Sequence, residues 1–514
     1  MRFRFPQRLI LLLLAAVFFS LAFEPSPLWF LIYFFVPLFI AAIRGLGFRE
    51  GFRSGWGFGV VTAVLTLYWV VYVNVVGVIL LILVHSIYYG FVGGILGSAT
   101  RRFGRAGIAL TPFLWVGMEY LRAQTQVSFP WQNLAYTQAA NTVIVQLAEI
   151  SGDATITFFI AFVGLLLYLA YTNLRRLILS ISLFVAVIIL YTGAYFWGAS
   201  RFQPLAPDFT VAALQGNIPV QQKWQNGRAD HNFQTYEALS AEAAAAGAKL
   251  LVWPESAAPM YLNLEPPYMD WIASMARRNS VDIMTGGLHM TRLPDGTRRY
   301  FNSTYYFTPV GRDPRIYDKH WLVPFGEHMP YAERITAIAK FREFVKERLA
   351  LDISDFHPGD SLVLFESNGR KFGTLICFEI AYNEFVRDLV NRGADFLTVI
   401  TNDDWFGETA GPYQHAAIPI FRAVENRVWI VRAANTGISA IFDPYGRVVA
   451  KTKLGEKTFL AGNIGHRGPV TLFQKHGAVL GKICLAVSLL AGIILAVAKK
   501  RHDTWQADHI HPRA

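Results

Sequence analysis

Long apolar runs constrain this chain more than any other feature of its sequence. The 514 residues are 53% hydrophobic and 16% charged, whereas ordinary soluble domains carry about 25% charged residues. The apolar excess lies in residues 9–198 and 478–498, and residues 207–466 have the composition of a globular domain. A membrane-spanning helix needs roughly 20 apolar residues. The sequence therefore predicts a membrane protein with a water-exposed domain inserted before its last span.

Eight apolar runs are candidate spans. They are residues 9–23, 28–43, 55–76, 77–99, 107–121, 154–172, 177–197 and 478–498. The run 107–121 contains Pro112 and Glu119, so its ends are poorly defined. The first run follows a basic N-terminus, as a signal peptide would. It lacks a small-x-small cleavage site and other spans follow at once, so we interpret it as a retained helix.

Basic residues in alternate loops predict the orientation of the chain. They are Arg44, Arg49 and Arg53, then Arg101, Arg102 and Arg105, then Arg175 and Arg176, and finally Lys499, Lys500 and Arg501. The positive-inside rule places both termini in the cytoplasm, and in a bacterium residues 207–466 then lie in the periplasm. The net charge of +11 includes these loops. With no basic stripe or recognition motif, nucleic acid is not an expected partner.

The extramembrane region alternates strand-like and helix-like runs. The strand-like runs include 208–214, 249–253, 282–287, 302–308, 371–376, 395–401, 427–432 and 438–443, and the helix-like runs include 230–246, 267–279, 383–392 and 413–425. This alternation predicts a layered α/β domain. In such folds the chemistry collects where parallel strands end.

Polar side chains follow three of the predicted strands. They are Glu255 in WPES, Cys377 in CFE, and Asn402 and Asp403 in TNDDWFG. A fourth segment, YDKHWLVPFGE, carries Lys319 and Glu327 and does not resemble regular structure. We expect these groups to share one edge of the domain.

Cys377 is one of two cysteines, and the other, Cys484, lies in the last predicted span. A free thiol in an oxidising compartment is either a buried small hydrophobe or a reactive group, and the residue alone favours neither. At the start of a helix its thiolate would be stabilised by the dipole. A nucleophile also needs a base and a cation. No histidine has an obvious role, which leaves Glu255 and Lys319, although either alone would pass for a surface residue.

The motifs WPES, YDKHWLVPFGE and CFE, in this order, resemble the Glu-Lys-Cys triad of the nitrilase superfamily. Together with the eight spans, they resemble the apolipoprotein N-acyltransferase family over nearly the whole chain. LQGNIPVQQKW (214–224) is similar to the entry of that family's catalytic domain. The resemblance implies a polytopic α-helical membrane bundle plus an αββα nitrilase-like sandwich. The implied division is seven membrane helices in 1–200, a periplasmic catalytic domain in 207–466, an eighth helix in 478–498 and a cytoplasmic tail in 499–514.

The resemblance implies a two-step acyl transfer at the bacterial inner membrane. Cys377 would be the nucleophile, Glu255 the general base and Lys319 the cation that stabilises the oxyanion. The acyl donor would be a phospholipid, with phosphatidylethanolamine expected, and the acceptor the N-terminal amine of a diacylglyceryl apolipoprotein. No metal or other cofactor is implied, and the sequence has no clustered ligands or phosphate-binding glycine loop.

Supporting roles also follow from the resemblance. Glu327 would orient Lys319, and Glu379 and Trp224 match positions that are important in the family. Some members have a tyrosine where this chain has Phe378, so a role for that hydroxyl does not carry over.

Both implied substrates are lipids, so apolar groups near the site are predicted to line their approach. The candidates are Trp131, Met260, Tyr261, Phe341, Phe344, Phe378 and Asn402. Residues 331–350 carry an apolar helical stripe. This stripe fits a packed helix and an interfacial or lid helix equally well.

Two other functions use the same features. A membrane-tethered amidase or nitrile hydrolase would use the triad with water as the acceptor, although eight spans exceed what a tether needs. A transporter or lipid-binding scaffold would not need the triad. His85 and Glu119 are too few intramembrane polar groups for ion-coupled transport. Replacing Cys377 by alanine would spare a scaffold and abolish either enzyme.

Overall fold

The computed structural model describes residues 5–225, 227–311, 313–349 and 355–510. Residues 511–514 of the predicted tail lie outside this part. The α-helices are α1 (Phe5–Leu21), α2 (Ile32–Ile43), α3 (Phe48–Leu67), α4 (Val75–Phe103), α5 (Arg105–Ile108), α6 (Thr111–Arg122), α7 (Thr142–Val145), α8 (Ala148–Ser151), α9 (Asp153–Thr172), α10 (Leu177–Ala199), α11 (Val220–Lys223), α12 (Ala229–Ala245), α13 (Pro266–Asn279), α14 (Thr336–Leu349), α15 (Asn383–Asn391), α16 (Gly411–Asn426), α17 (Leu472–His476) and α18 (Val479–Ile510).

The strands are β1 (Phe209–Gln215), β2 (Leu250–Val252), β3 (Ala258–Tyr261), β4 (Asp282–Arg292), β5 (Arg298–Phe307), β6 (Arg315–Asp318), β7 (Leu364–Ser367), β8 (Arg370–Ile376), β9 (Phe396–Thr401), β10 (Trp429–Ala434), β11 (Ala440–Phe442), β12 (Val448–Lys451) and β13 (Thr458–Ile464). Short 3-10 helices occupy Trp29–Leu31, Tyr68–Tyr72, Leu134–Gln138, Leu262–Leu264, Cys377–Ala381 and Asp403–Phe406.

Five helices are long and apolar enough to cross a membrane in the described part of the chain. They are Phe48–Tyr72, Val75–Phe103, Asp153–Thr172, Leu177–Ala199 and Val479–Val497. The predicted spans 9–23, 28–43 and 107–121 correspond to shorter helices. In the last of these, Pro112 lies in the first turn of α6, which has 12 residues, because proline starts a helix readily but cannot continue one. A helical membrane protein is thus confirmed, and the count of eight spans stays a prediction.

Two β-sheets form the extramembrane part of the chain. One has the order β13-β1-β2-β4-β5-β6, with β3 beside β4, and the other has the order β12-β11-β10-β9-β8-β7. At the centres of the sheets, β1, β2 and β4 pair in parallel, as do β8, β9 and β10. The predicted α/β class is confirmed.

Alternation along β1 explains why the sheets stack as layers. Val211 and Ala213 join the buried cluster that contains β9 and β10 of the second sheet. Ala212 and Leu214 point the other way, into a cluster with α12 and α13. Successive strand residues face opposite sides of a sheet. Helices α15 and α16 contribute to the first cluster from the far side, which completes the predicted αββα sandwich.

Buried ion pairs join the helical bundle to this sandwich. Arg422 of α16 donates to Asp153 Oδ2 at 3.2 Å and to Glu425 Oε1 at 2.8 Å. The same Glu425 oxygen accepts the backbone N–H of Asp153 at 2.9 Å. Arg427 pairs with Glu149 of α8. Helix α16 is therefore anchored to the bundle at the start of α9.

Replacing Arg422 by methionine should lower the stability of the protein strongly. The two buried carboxylates of Asp153 and Glu425 would lose their shared cation, and such a loss costs about 3–5 kcal/mol. Thermal unfolding in detergent would measure it as a fall in Tm. The matched control is Arg278→Met, which removes a largely exposed partner of Glu237 and should cost about 0–1 kcal/mol. Equal Tm values for the two variants would contradict the prediction.

Candidate active site

Neighbouring strand ends bring the predicted polar groups together. Glu255 follows β2, Cys377 follows β8 and Lys319 follows β6. Lys319 Nζ lies 2.8 Å from Glu327 Oε1 and 4.0 Å from Glu255 Oε1. Burial and the charges of Glu255 and Lys319 are the main influences on the Cys377 thiol. The four groups form one cluster, in which Glu255 and Lys319 are buried and Glu327 and Cys377 are half-buried.

Two amides fix the carboxylate of Glu255. Asn302 Nδ2 donates to Oε1 at 2.7 Å, and the backbone N–H of Asn402 donates to Oε2 at 3.0 Å. Gly286 of β4 passes directly behind, because a Cβ there would lie 2.7 Å from Glu255 Cα. Burial raises the pKa of Glu255, and Lys319 opposes this shift. The carboxylate is thus held in place and is more basic than a solvated one.

Lys319 is a buried cation with two carboxylate neighbours. Burial lowers its pKa, but the charges of Glu327 and Glu255 outweigh burial, so the net shift is upward. Glu327 is itself anchored, since its Oε1 accepts from Asn302 Nδ2 at 3.1 Å and its Oε2 accepts from Val323 N at 2.9 Å. Lys319 therefore stays charged at neutral pH.

Cys377 sits at a strained turn between β8 and a short 3-10 helix. Its φ of 53° lies in the left-handed region, which costs a non-glycine residue about 1–3 kcal/mol and is common at functional sites. Burial, then the charge of Glu255, raises the pKa of the thiol. The expected thiolate stabilisation by a helix dipole is wrong, because the 3-10 helix has only five residues and burial dominates. A protonated thiol requires a base.

Glu379 connects the end of β8, just before Cys377, to the lysine segment. Its Oε1 accepts from Tyr317 Oη at 2.8 Å, from His320 N at 2.7 Å and from Trp321 N at 3.1 Å. Its Oε2 accepts from Ile376 N at 2.7 Å. The side chain is fully buried. Glu379 thus positions both Lys319 and Cys377 without reaching the reacting atoms through these contacts.

An aromatic wall from the bundle closes one side of the site. The ring of Phe378 stacks on Phe129 at 5.1 Å and on Trp131 at 6.1 Å. Trp131 Nε1 donates to Gln414 Oε1 at 3.0 Å, and all three rings are buried. Phe378 and Trp131 are therefore parts of a packed wall between the bundle and Cys377.

Of the other predicted residues, only Asn402 has a hydrogen bond to the triad in the described part of the chain. Met260 and Tyr261 are half-buried on β3, and Trp224, Phe341 and Phe344 are exposed. Asn402 is buried, and its side chain accepts from Asn435 Nδ2 at 3.0 Å. In the described part of the chain, no hydrogen bond or ion pair ties Trp224, Phe341 or Phe344 to the triad.

Two site residues have no signal in the sequence. Asn302 bridges Glu255 and Glu327 from the middle of β5, where it looks like any strand residue. Lys223 is fully buried, and burial lowers its pKa to about 8 against the charges of Glu255 and Asp404. Sequence reasoning chose its neighbour Trp224 instead.

A cavity of about 250 Å³ adjoins the lysine segment and the loop after α6. Its lining includes Gln126 and Ser128 from the loop after α6, His320 and Trp321 beside Lys319, and Arg342 of α14. The cavity therefore reaches from the bundle loop to the neighbours of the triad.

Comparisons with known proteins agree over about nine tenths of the chain. The carbon-nitrogen hydrolase family model matches residues 210–465, and the model of the apolipoprotein N-acyltransferase N-terminal domain matches residues 15–166. The chain is 35% identical over 490 residues to the apolipoprotein N-acyltransferase of Geobacter metallireducens, covering 91% of this chain and 90% of the relative. The Chlorobaculum tepidum relative of that name is 27% identical, with 90% and 91% covered. A solved amidase of the nitrilase superfamily from Nesterenkonia is 19% identical over 54% of this chain and 98% of its own, with a TM-score of 0.38.

Proposed function

This chain belongs to the apolipoprotein N-acyltransferase family, and from that premise we propose that it carries an acyl chain on Cys377 between a phospholipid and the N-terminal amine of a diacylglyceryl apolipoprotein. One observation supports the choice of residues best: a cysteine with a strained backbone shares a cluster with an anchored carboxylate and a lysine whose ammonium group lies 4.0 Å from that carboxylate. This arrangement fits a thiol that loses its proton to Glu255 only as it attacks the substrate.

In the first step the thiol of Cys377 attacks an ester carbonyl of the phospholipid. The S–C bond forms while Glu255 takes the thiol proton. The tetrahedral oxyanion is stabilised by the ammonium group of Lys319, which its neighbouring carboxylates keep charged. The ester C–O bond then breaks, Glu255 returns the proton to the leaving alkoxide, and a lysophospholipid departs from the thioester.

In the second step the amine of the apolipoprotein attacks the thioester. The N–C bond forms, Glu255 accepts a proton from the nitrogen, and the C–S bond breaks. Glu255 then reprotonates the sulfur of Cys377, which restores the resting enzyme. Water would hydrolyse the thioester, so the packed wall of Trp131 and Phe378 protects the intermediate by excluding solvent on that side.

The membrane bundle keeps the catalytic domain close to both lipid substrates. We place the catalytic domain in the periplasm and both termini in the cytoplasm of the bacterial inner membrane, as the loop charges indicate. The cavity beside His320 and Trp321 is the proposed approach, and the exposed Phe341 and Phe344 of α14 would contact acyl chains. Phosphatidylethanolamine is the proposed donor. The same proposal includes the domain boundaries: the membrane bundle ends at residue 200, the catalytic domain spans 207–466 and the last membrane helix spans 478–498.

The intact mass of the purified protein tests this function. After incubation with a defined phosphatidylethanolamine, the mass should rise by one acyl group, and hydroxylamine should remove it because it cleaves thioesters. A Cys377→Ala variant should gain nothing. Adding a diacylglyceryl peptide with a free amine should discharge the acyl group to the peptide. Discharge to water alone would instead favour the amidase-like hydrolase, and no acylation of folded protein would contradict the phospholipid step.

The rate of acyl-enzyme formation should depend on pH through Glu255. The base must be ionised, and burial raises its pKa above the ordinary value of about 4.3. The rate should therefore fall as pH drops through a midpoint above that value. Above the pKa of Glu255 it should be level, because the base is then ionised while the thiol stays protonated. A pH profile of single-turnover acylation would show this, and a rate unchanged down to the ordinary glutamate pKa would contradict it.

A further inference from the structure

A second buried cluster holds the backbone of Cys377 rather than its sulfur. His415 of α16 places Nε2 3.3 Å from the carbonyl oxygen of Cys377 and Nδ1 2.9 Å from Asp403 Oδ1. Arg432 donates to the other oxygen of Asp403 at 2.6 Å. The side chains of His415, Asp403 and Arg432 are completely buried. We propose that His415 is a positioning residue, which holds the nucleophile in its reactive backbone conformation by binding the Cys377 carbonyl.

The contact with Cys377 restricts the protonation of the ring. A carbonyl oxygen can only accept, so the contact requires a hydrogen on Nε2. A protonated ring donates from Nε2 to Cys377 and from Nδ1 to Asp403. A neutral ring has a single hydrogen, so it can bind the Cys377 carbonyl only as the Nε2–H tautomer, with Nδ1 accepting from Arg432 Nη2 at 3.2 Å. The bond to Cys377 therefore needs the protonated ring or this one neutral tautomer.

This bond acts where the backbone is strained. Cys377 is a non-glycine residue with a φ of 53°, and such a conformation persists only where its surroundings determine it. Glu379 fixes the preceding residue through the N–H of Ile376. His415 fixes the following peptide through the carbonyl of Cys377. Without the second bond, only the 3-10 helix that begins at Cys377 holds the following peptide, and we expect the sulfur to shift relative to Glu255.

The imidazole ring is held too tightly to serve as a mobile base. The ring of Trp131 lies 5.2 Å from it and that of Phe406 lies 6.1 Å from it. Asp403 also accepts from Thr401 Oγ1 at 2.9 Å. Asp403 and Arg432 therefore remain paired when the histidine is removed, so a substitution at this position leaves no buried charge without a partner.

Two variants separate positioning from packing. His415→Leu fills the space but cannot donate, whereas the amide of His415→Gln can reach the carbonyl. We expect His415→Leu to slow acylation by phosphatidylethanolamine about 10–100-fold. The donor concentration for half-maximal rate should stay within about twofold, because the lipid site is untouched. His415→Gln should recover most of the rate.

Alkylation by iodoacetamide provides a readout that needs no lipid. Modification of Cys377, followed by intact mass with Cys377→Ala as the background, should slow in His415→Leu and recover in His415→Gln. Native-like alkylation of the leucine variant would overturn the positioning role. Equal slowing in both variants would also overturn it, since packing alone would then explain the effect. Of the two measurements, only the acylation rate depends on the proposed function, whereas alkylation tests the positioning role of His415 without it. Protein that alkylates in the expected order but never acylates would contradict the phospholipid donor and leave the role of His415 standing.

Discussion

Glu255→Gln should lower the rate of acyl-enzyme formation by about 10³-fold, within the range of 10²–10⁴ typical of general bases. Glutamine keeps the shape of the side chain and an oxygen that can still accept from Asn302 or from the N–H of Asn402. It cannot take the thiol proton, and the raised pKa of Cys377 leaves little thiolate to react without help. Single-turnover acylation measured by intact mass gives the rate directly.

An exposed glutamate provides the control for this substitution. Glu366→Gln on β7 removes an exposed carboxylate, which no hydrogen bond or ion pair in the described part of the chain ties to the cluster, and it should acylate at the native rate. The unfolding temperature of both variants should match that of the native protein. If the Glu255 variant acylated at the native rate, another group would have to be the base, and the proposed triad would fail.

Lys319→Met should cost about 10²–10³ in the same rate, which is the usual effect of removing an oxyanion-stabilising group. A second effect adds to it. Glu255 and Glu327 would face each other without the cation between them, so the pKa of Glu255 would rise further. The acid limb of the pH profile should consequently move to higher pH in this variant. A slower rate with an unchanged acid limb would show that Lys319 stabilises the oxyanion but does not set the pKa of Glu255.

Lys319→Arg is the matched control, since it keeps the positive charge. The guanidinium group is larger and planar, so we expect partial recovery of the rate and a pH profile close to the native one. If methionine and arginine variants were equally slow and had the same acid limb, the charge of Lys319 would not be what matters. The role of the residue would then be packing.

The strand ends could be predicted from the sequence because hydrophobic runs mark buried central strands. Glu255, Cys377 and Asn402 follow β2, β8 and β9, and parallel strands deliver their C-terminal residues to one edge. Strands β3, β6, β7, β12 and β13 were not predicted. The first four have four residues each, which is too short for a periodic pattern to stand out. Strand β13 has seven residues but includes Gly462 and Asn463, which are poor strand formers.

The charge state of the nucleophile could not be predicted from the sequence. A cysteine before a helix-like run suggests a stabilised thiolate, but burial decides the outcome, and burial depends on the whole fold. The roles of Asn302 and His415 were missed for a related reason. Both act through contacts with residues far away in sequence, Glu255 and Cys377 respectively, and neither carries a local motif.

The junction at Arg422 also bears on how this enzyme could be engineered. Two family models divide the chain between residues 166 and 210, which invites cutting out the hydrolase half as a soluble catalyst. Such a fragment would lack Asp153 and Glu149, and would expose the cations of Arg422 and Arg427 together with the wall residue Phe378. A soluble version therefore needs a redesigned surface on α16, because the boundary seen in sequence families cuts through a single cooperative unit.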